Sequence, residues 1–185
     1  FGVEMPLPIV FEHPILQDQA AWLDHQQHPN ELPPIVPLSE GEPLTLSFAQ
    51  QRLWFLAQME GQSAAYNMPA ALYLKGELDH AALERSMDTL INRHDSLRLC
   101  FPVVDGEATV KLLDVYNPFT FTDLSGLSDD EQQHQRELLI ENHAQTPFDV
   151  TIGPLLRLHL LKLSDEGHIL LFNMHHIISD GWSIG

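Results

Sequence analysis

The sequence has few cysteines, few basic residues and no long apolar run. A single cysteine, Cys100, in 185 residues excludes an internal disulfide framework and a thiolate-rich metal site. Nine Lys and Arg against 26 Asp and Glu give a formal charge of -17, which argues against nucleic acid and anionic membranes as partners. No apolar run reaches the roughly 18 residues of a membrane span, and no basic segment followed by an apolar stretch opens the chain. These absences predict a soluble, cytoplasmic protein.

The hydrophobic content of 44% is enough for one folded domain with a short appendage. Residues 1–23 hold two apolar clusters that are too small to form a core. Residues 24–43 are polar and then rich in proline (Pro33, Pro34 and Pro37), as in a semi-rigid linker. We interpret His25 and His28 in this linker as solvated, because no third metal ligand accompanies them. The globular part is expected at residues 44–185.

Helical and strand patterns alternate along residues 44–185. Capping boxes at Ser47/Gln50 and Ser128/Glu131 predict helices reaching Met59 and about Gln145, and a third helix with an apolar face is predicted after Asp79. Strands are predicted over residues 67–75, 155–163 and 168–174, and a hairpin is predicted around Asp105-Gly106. This order predicts an α/β sandwich, with a mixed sheet and covering helices.

The residues that indicate chemistry follow the last predicted strand, at positions 173–183. His175 and His176 are adjacent at a strand end, so they should face opposite sides and have different roles. Gly181 after Asp180 would permit a sharp turn. A neutral imidazole accepts a proton near neutral pH, which suits acyl transfer without a covalent enzyme intermediate. No serine lies in a G-x-S-x-G elbow.

Two other interpretations of the same residues remain open at this point. A metal site built from His176 and Asp180 lacks a third ligand and the helix that such a spacing requires. Alternatively, both histidines are structural and Asp180-Gly181 is an ordinary turn.

The string from Met174 to Ser183 resembles the HHxxxDG motif of nonribosomal peptide synthetase condensation domains. Residues 47–56 resemble the first motif of that family, and residues 93–101 resemble the second, usually written RHExLRTxF. Asp95 replaces the usual Glu, and Leu99-Cys100 also departs from the pattern. Shorter matches occur at residues 65–69 and 147–149. The resemblance extends from about Pro33 to the last residue.

The resemblance implies a chloramphenicol acetyltransferase-like fold of two lobes with the active site between them, and this lobe would be a two-layer sandwich. Residues 44–185 would be the N-terminal lobe, which would be inactive by itself because the C-terminal lobe is absent. Residues 1–23 resemble the C-terminal tail of a peptidyl carrier domain, and residues 24–43 would be the Pro-rich linker between the two. Because a carrier would directly precede the condensation domain, a donor of L configuration is expected.

By the same resemblance, the domain forms an amide bond between substrates carried by two carrier domains. His176 would orient or deprotonate the acceptor amine, and the backbone N–H near Gly181 would stabilise the oxyanion. Asp180 would hold the loop through an arginine of the second motif. His175 would be structural, and Trp182 would lie in the core. The remaining motif residues are the two arginine candidates (Arg93 and Arg98) and the candidate tunnel or motif residues (Arg52, Trp54 and Ser183).

The resemblance implies no metal and no cofactor bound by this lobe, since the substrates arrive on phosphopantetheine arms. The implied partners are an upstream donor carrier, a downstream acceptor carrier and an adenylation domain of the same synthetase. Three alternatives stay open. The chain could be an epimerisation domain or another HHxxxDG acyltransferase, it could be a catalytically silent module that recruits carriers, and the two arginines could be solvated charges.

Overall fold

A computed structural model describes residues 5–25, 36–39, 41–61 and 63–184 of the chain. By its internal contacts, the chain divides into two compact units, residues 1–42 and residues 43–185. The part of the predicted linker that contains His28, Pro33 and Pro34 lies outside the described residues. Within the ranges described, no helix combines the length and the apolar character that a bilayer crossing demands.

The first unit contains two short helices, α1 (Leu7–Glu12) and α2 (Leu16–His25). Neither helix has a buried residue. The second helix contains Leu16, Ala20 and Leu23, whose spacing suits one face of a short helix. The carrier-tail interpretation of this unit stays a prediction.

The second unit carries all the strands of the described chain, together with three longer helices. In chain order these elements are α3 (Phe48–Glu60), β1 (Asn67–Lys75), α4 (His80–Arg93), β2 (Leu99–Cys100), β3 (Val103–Val104), β4 (Glu107–Ala108), β5 (Lys111–Leu112), β6 (Phe119–Asp123), α5 (Asp129–Gln145), β7 (Leu156–Ser164) and β8 (Gly167–His175). Short 3₁₀ turns lie at Asp95–Arg98 and Trp182–Ile184.

A four-stranded sheet in the order β1-β8-β7-β6 forms the centre of this unit. β8 pairs antiparallel with both β1 and β7, whereas β6 runs parallel to β7. The sheet is therefore mixed, and the predicted α/β class with covering helices is confirmed. The strand β6, at the sheet edge, was not predicted from the sequence.

Helices cover both faces of the sheet, so the sheet lies between two helical layers and not in the predicted two-layer arrangement. Phe172 and Met174 of β8 pack in a cluster that also contains side chains of α3 and α4. Ile169 and Leu171, which alternate with them along the strand, pack against Leu139 and Ile140 of α5. Because successive strand residues point to opposite faces, β8 contributes to two cores at once.

The predicted hairpin at Asp105-Gly106 is present as two short ladders. β3 pairs with β4 across the turn, and β2 pairs with β5 further from it. Asp105 and Gly106 have positive φ angles of 53° and 85°. A two-residue turn that matches the strand twist needs positive φ at both positions, and an Asp-Gly pair adopts it readily.

The C-terminal end of α5 is held against the sheet by polar side chains of three strands. Asn173 of β8 donates to the carbonyl oxygen of His143 at 2.6 Å, and Asn67 of β1 donates to that of Ala144 at 2.7 Å. Arg157 of β7 donates to the carbonyl oxygen of Thr146 at 2.7 Å. The last carbonyl groups of a helix have no partner inside it, so these donors satisfy them. They fix α5 beside the end of β8, where the histidine pair begins.

Candidate active site

The two histidines lie at the C-terminal end of β8 and differ sharply in exposure. His175 is the last residue of the strand and is 3% exposed, whereas His176 starts the following turn and is exposed. Strand alternation turns the two imidazoles to opposite sides, and His176 is exposed because it lies beyond the end of the covered strand. Only His176 can reach a substrate from solvent.

His175 is locked in the interior as a neutral ring. The backbone N–H of Ile177 donates to its Nδ1 at 3.1 Å, so the proton of the neutral ring lies on Nε2. The ring centroids of Tyr66 and Phe148 lie 6.2 and 6.3 Å from the ring centroid of His175. Burial, with a smaller contribution from the charge of His176, lowers the pKa of His175 to about 4. A ring that stays neutral and enclosed is suited to holding the turn together.

His176 has a defined tautomer. Its Nδ1 lies 2.8 Å from the carbonyl oxygen of Ser179, and a carbonyl oxygen only accepts, so Nδ1 carries the proton. The Nε2 of the neutral ring is therefore left with a lone pair. The backbone N–H of His176 donates to the carbonyl oxygen of Tyr66 at 2.9 Å, which fixes the start of the turn. This arrangement presents a proton-accepting nitrogen in a set orientation.

His176 lies in a cleft of about 280 Å³ between the first turn of α3 and the motif loop. The lining residues are Ser47, Ala49, Gln50 and Leu53 of the α3 region, and His176 to Asp180 with Ser183 of the loop. A second cleft of about 480 Å³ lies on the other side of the loop and shares Ile178, Ser179 and Ser183 with the first. The loop thus separates two clefts, and Ser183 borders both.

A larger cleft, of about 780 Å³, lies elsewhere, between α3 and the β3–β4 hairpin. Trp54 and Phe55 line it, but no histidine does. We place the candidate site in the cleft of about 280 Å³ because His176, a proton acceptor of defined orientation, lines it.

Asp180 is held by the loop itself and not by an arginine. Its Oδ1 accepts from the Oγ of Ser183 at 2.7 Å and from the backbone N–H of Ser183 at 2.9 Å. These hydrogen bonds hold the pKa of Asp180 below its usual range, and the one from the hydroxyl contributes most. The expected pairing of Asp180 with Arg93 or Arg98 is absent from the part of the chain that the structure describes.

Arg98 has a different partner inside the second motif. Its Nη2 lies 2.5 Å from the Oδ1 of Asp95, and its Nη1 donates to the carbonyl oxygen of Leu113 at 3.2 Å. This pairing ties the 3₁₀ turn to the segment after β5. Arg93 is exposed at the end of α4. The replacement of the motif Glu by Asp95 therefore still leaves a carboxylate that holds Arg98.

Two further expectations about the loop need correction. Gly181 does not have the positive φ that a glycine-dependent turn would need, and a Cβ placed there would meet no atom within 4 Å. Trp182 is 94% exposed, so its predicted place in the core is wrong. The segment after Asp180 forms a turn in which the N–H of Ser183 donates to the carbonyl oxygen of Asp180 at 3.1 Å, and the indole lies in solvent. The role of the Gly181 N–H stays a prediction.

The two candidate tunnel residues on α3 have different surroundings. The Nε1 of Trp54 donates to the carbonyl oxygen of Phe101 at 3.1 Å, and its ring packs against the core that includes Ile91. Arg52 is exposed one residue after Gln51. Packing accounts for Trp54, and neither residue lines the cleft of His176.

The contribution of α3 to the site was missed from the sequence. The Nε2 of Gln50 donates to the carbonyl oxygen of Ile177 at 3.4 Å, across 127 positions of the chain. The capping box was visible in the sequence, but no local pattern indicates which distant turn its side chain meets. Over the ranges that the structure describes, no three His, Cys, Asp or Glu side chains converge as a metal site would require.

Comparison with known proteins defines the class. Residues 41–185 match the family model of the Condensation domain. Over its whole length, the chain is 43% identical to part of malpibaldin synthetase from Mortierella alpina and 43% identical to part of a linear gramicidin synthase protein from Brevibacillus parabrevis. It covers 3% and 4% of those proteins. The chain therefore belongs to the condensation-domain family of nonribosomal peptide synthetases.

Solved structures share the fold. The starter condensation domain of rhizomide synthetase RzmA is 26% identical, with a TM-score of 0.67 over 77% of this chain. The first condensation domain of the calcium-dependent antibiotic synthetase, in complex with a substrate analogue, is 25% identical with a TM-score of 0.66 over 78%. The match covers 34% and 35% of those two structures. The chain thus spans about a third of the solved domains and a few per cent of the curated relatives.

Proposed function

We propose that this chain supplies the catalytic histidine of a condensation domain that joins two carrier-bound substrates through an amide bond. The observation that carries the proposal is the His176 ring, exposed in a cleft with its Nδ1–H directed to the carbonyl oxygen of Ser179. Membership of the family supports the reaction class.

In the proposed reaction, the amine nitrogen of the acceptor attacks the carbonyl carbon of the donor thioester. The new C–N bond forms, the C–S bond breaks, and the amine loses one proton while the thiolate leaves as a thiol. The Nε2 of His176 would accept that proton, or would orient the acceptor amine. A free α-amino group has a pKa of about 8, so orientation contributes together with proton transfer. The N–H near Gly181 is proposed to contact the oxyanion.

The surrounding motif residues are proposed to hold this ring in place. His175 would anchor the turn from inside, and Asp180 would brace the far end of the loop through Ser183. The proposed partners are the donor and acceptor carriers and an adenylation domain, and the substrates would arrive on phosphopantetheine arms. We assign residues 1–23 to a carrier tail, residues 24–43 to the linker and residues 44–185 to the N-terminal lobe, which would be inactive by itself.

Substitution of His176 in a synthetase that carries this chain in its natural context tests the proposal. His176→Gln should lower peptide transfer between loaded carriers by two to four orders of magnitude, the range typical of general acid–base assistance. His134→Ala, on the exposed surface of α5, is the matched histidine control and should transfer normally. Carrier binding and far-UV circular dichroism should be unchanged in both variants.

If a folded His176→Gln variant instead kept its transfer rate within about threefold of wild type, a far smaller loss than two to four orders of magnitude, that result would contradict the proposal. Carrier binding without any transfer by the wild-type protein would instead identify a silent recruiting module. Racemisation of a single loaded carrier substrate would identify an epimerisation domain.

A further inference from the structure

Two capping boxes start α3 and α5, and the residue three positions after the serine is Gln in one and Glu in the other. In the first, the Oε1 of Gln50 accepts from the backbone N–H of Ser47 at 2.9 Å at the start of α3. In the second, the Oε2 of Glu131 accepts from the backbone N–H of Ser128 at 3.2 Å at the start of α5. For capping alone, Gln and Glu are interchangeable. The chain nevertheless uses the amide at the box beside the active-site loop.

The amide of Gln50 makes a second contact that a carboxylate cannot make. While its Oε1 caps α3, its Nε2 donates to the carbonyl oxygen of Ile177 at 3.4 Å. The side chain is half-buried in the wall of the His176 cleft. An acceptor on one side and a donor on the other is a combination that an amide offers and an ionised carboxylate does not. A Glu at this position would direct oxygen against oxygen.

The carbonyl group of Ile177 lies at the centre of the turn that orients the catalytic ring. The N–H of the same residue donates to the Nδ1 of His175 at 3.1 Å. The next peptide leads into Ser179, whose carbonyl oxygen accepts from the His176 ring at 2.8 Å. Ile177 is thus held through its N–H from the interior and through its carbonyl oxygen from α3. The contact with Gln50 fixes the peptide plane between His176 and Ser179.

We propose that Gln50 is a positioning residue for His176, acting through the carbonyl group of Ile177 while it caps α3. The proposal rests on the proposed function of His176, because positioning matters only where that ring meets a substrate. The proposal can be tested by removing the donor NH2 group of the Gln50 amide while its capping oxygen is retained.

Gln50→Glu separates the two roles, because Glu keeps the capping acceptor and removes the donor. The first readout is nuclear magnetic resonance of the histidine ring nitrogens in the 185-residue chain, with the His176 signals assigned by their loss in His176→Gln. We expect Gln50→Glu to change the chemical shifts of His176 and to weaken the signature of its Nδ1–H tautomer. Glu131→Gln, the reciprocal exchange in the second box, should leave these signals unchanged.

The second readout is peptide transfer in the full synthetase. Gln50→Glu should lower kcat by about tenfold with KM changed less than about twofold, because small displacements of a reacting group are costly while binding is untouched. Glu131→Gln should have wild-type kcat. Wild-type His176 signals, or a wild-type kcat, in Gln50→Glu would each overturn the proposal.

The outcome for Gln50 is distinguishable from the outcome for His176 itself. Full transfer by His176→Gln would refute the proposed function, whereas the ring signals test the positioning without any substrate. If Gln50→Glu does not fold, Gln50→Met and Glu131→Met replace the pair, since each removes one capping acceptor. Only Gln50→Met should alter the His176 signals, and equal spectra in the two variants would overturn the proposal.

Discussion

The buried ring of His175 should make the stability of the fold depend on pH in a predictable direction. Burial lowers its pKa to about 4 in the folded chain, against about 6.5 in an unfolded one. Between these values the unfolded state binds more protons, so the free energy of unfolding falls as the pH falls. The contribution of the neutral His175 ring to the free energy of unfolding is fully present above about pH 6.5 and is lost towards pH 4. A difference of about 2.5 pH units corresponds to about 3 kcal/mol.

His175→Asn removes the titration and keeps the hydrogen bond. The Oδ1 of Asn can take the place of Nδ1 and accept from the N–H of Ile177, which lies 3.1 Å from Nδ1 in the structure. The smaller side chain loses contacts with Tyr66 and Phe148 at every pH, so the slope against pH is the quantity that tests the argument. Between pH 7 and pH 4 the wild-type chain should lose about 3 kcal/mol more than the variant.

Urea unfolding of both chains at several pH values, followed by far-UV circular dichroism, measures this difference. His143 also has a pKa lowered by burial to about 4, but it titrates in both proteins and cancels in the comparison. Equal slopes for wild type and His175→Asn would show that the ring is not held neutral in the fold, and the structural role assigned to it would fail.

Two more predictions concern buried groups. Asn173→Ala should lower the free energy of unfolding by about 1–3 kcal/mol, because the carbonyl oxygen of His143 loses its donor, whereas that of Ala144 keeps the one from Asn67. Asn173→Asp should cost more, since a carboxylate would face those oxygens, and equal losses for the two variants in urea unfolding would contradict this account. Cys100 is 1% exposed and burial raises its pKa, so a thiol reagent should label it only as the chain unfolds. Rapid labelling of the native chain, measured by mass spectrometry, would contradict its position in the core.

The elements that were predicted well are those with a local cause. The Ser47 capping box marks the start of α3 because the cap and the helix adjoin in sequence. The hairpin at Asp105-Gly106 follows from the same kind of local chemistry, since those residue types accept positive φ. The strand β6 lacked such a signal. Its Phe-Thr alternation is short, and it becomes a strand by parallel pairing with β7, a distant segment of the chain.

The candidate site was only partly predictable for the same reason. That the two histidines face opposite sides follows from strand alternation and needs no tertiary information, whereas the exposure of His176 depends on where the covered strand ends. The partner of Asp180 and the exposure of Trp182 depend on how a few residues after the strand turn in space. The family resemblance implied an arginine partner for Asp180, but in the structure its carboxylate accepts from the hydroxyl of Ser183, three residues ahead. The contact between Gln50 and Ile177 joins the first and last motifs and has no local signature.

The register of β8 determines which histidine can do chemistry. A shift of one residue would exchange the faces of the whole strand and turn His176 to the side where His175 is now buried. The apolar residues resist such a shift weakly, because Ile169 to Phe172 are apolar on both faces. Asn173 resists it more strongly, since its amide holds the end of α5. A slip would leave that carbonyl group of α5 unpaired, at a cost of about 1–3 kcal/mol. The buried Asn173 therefore keeps His176 on the side of the sheet where α3 lines its cleft, although Asn173 does not line that cleft itself.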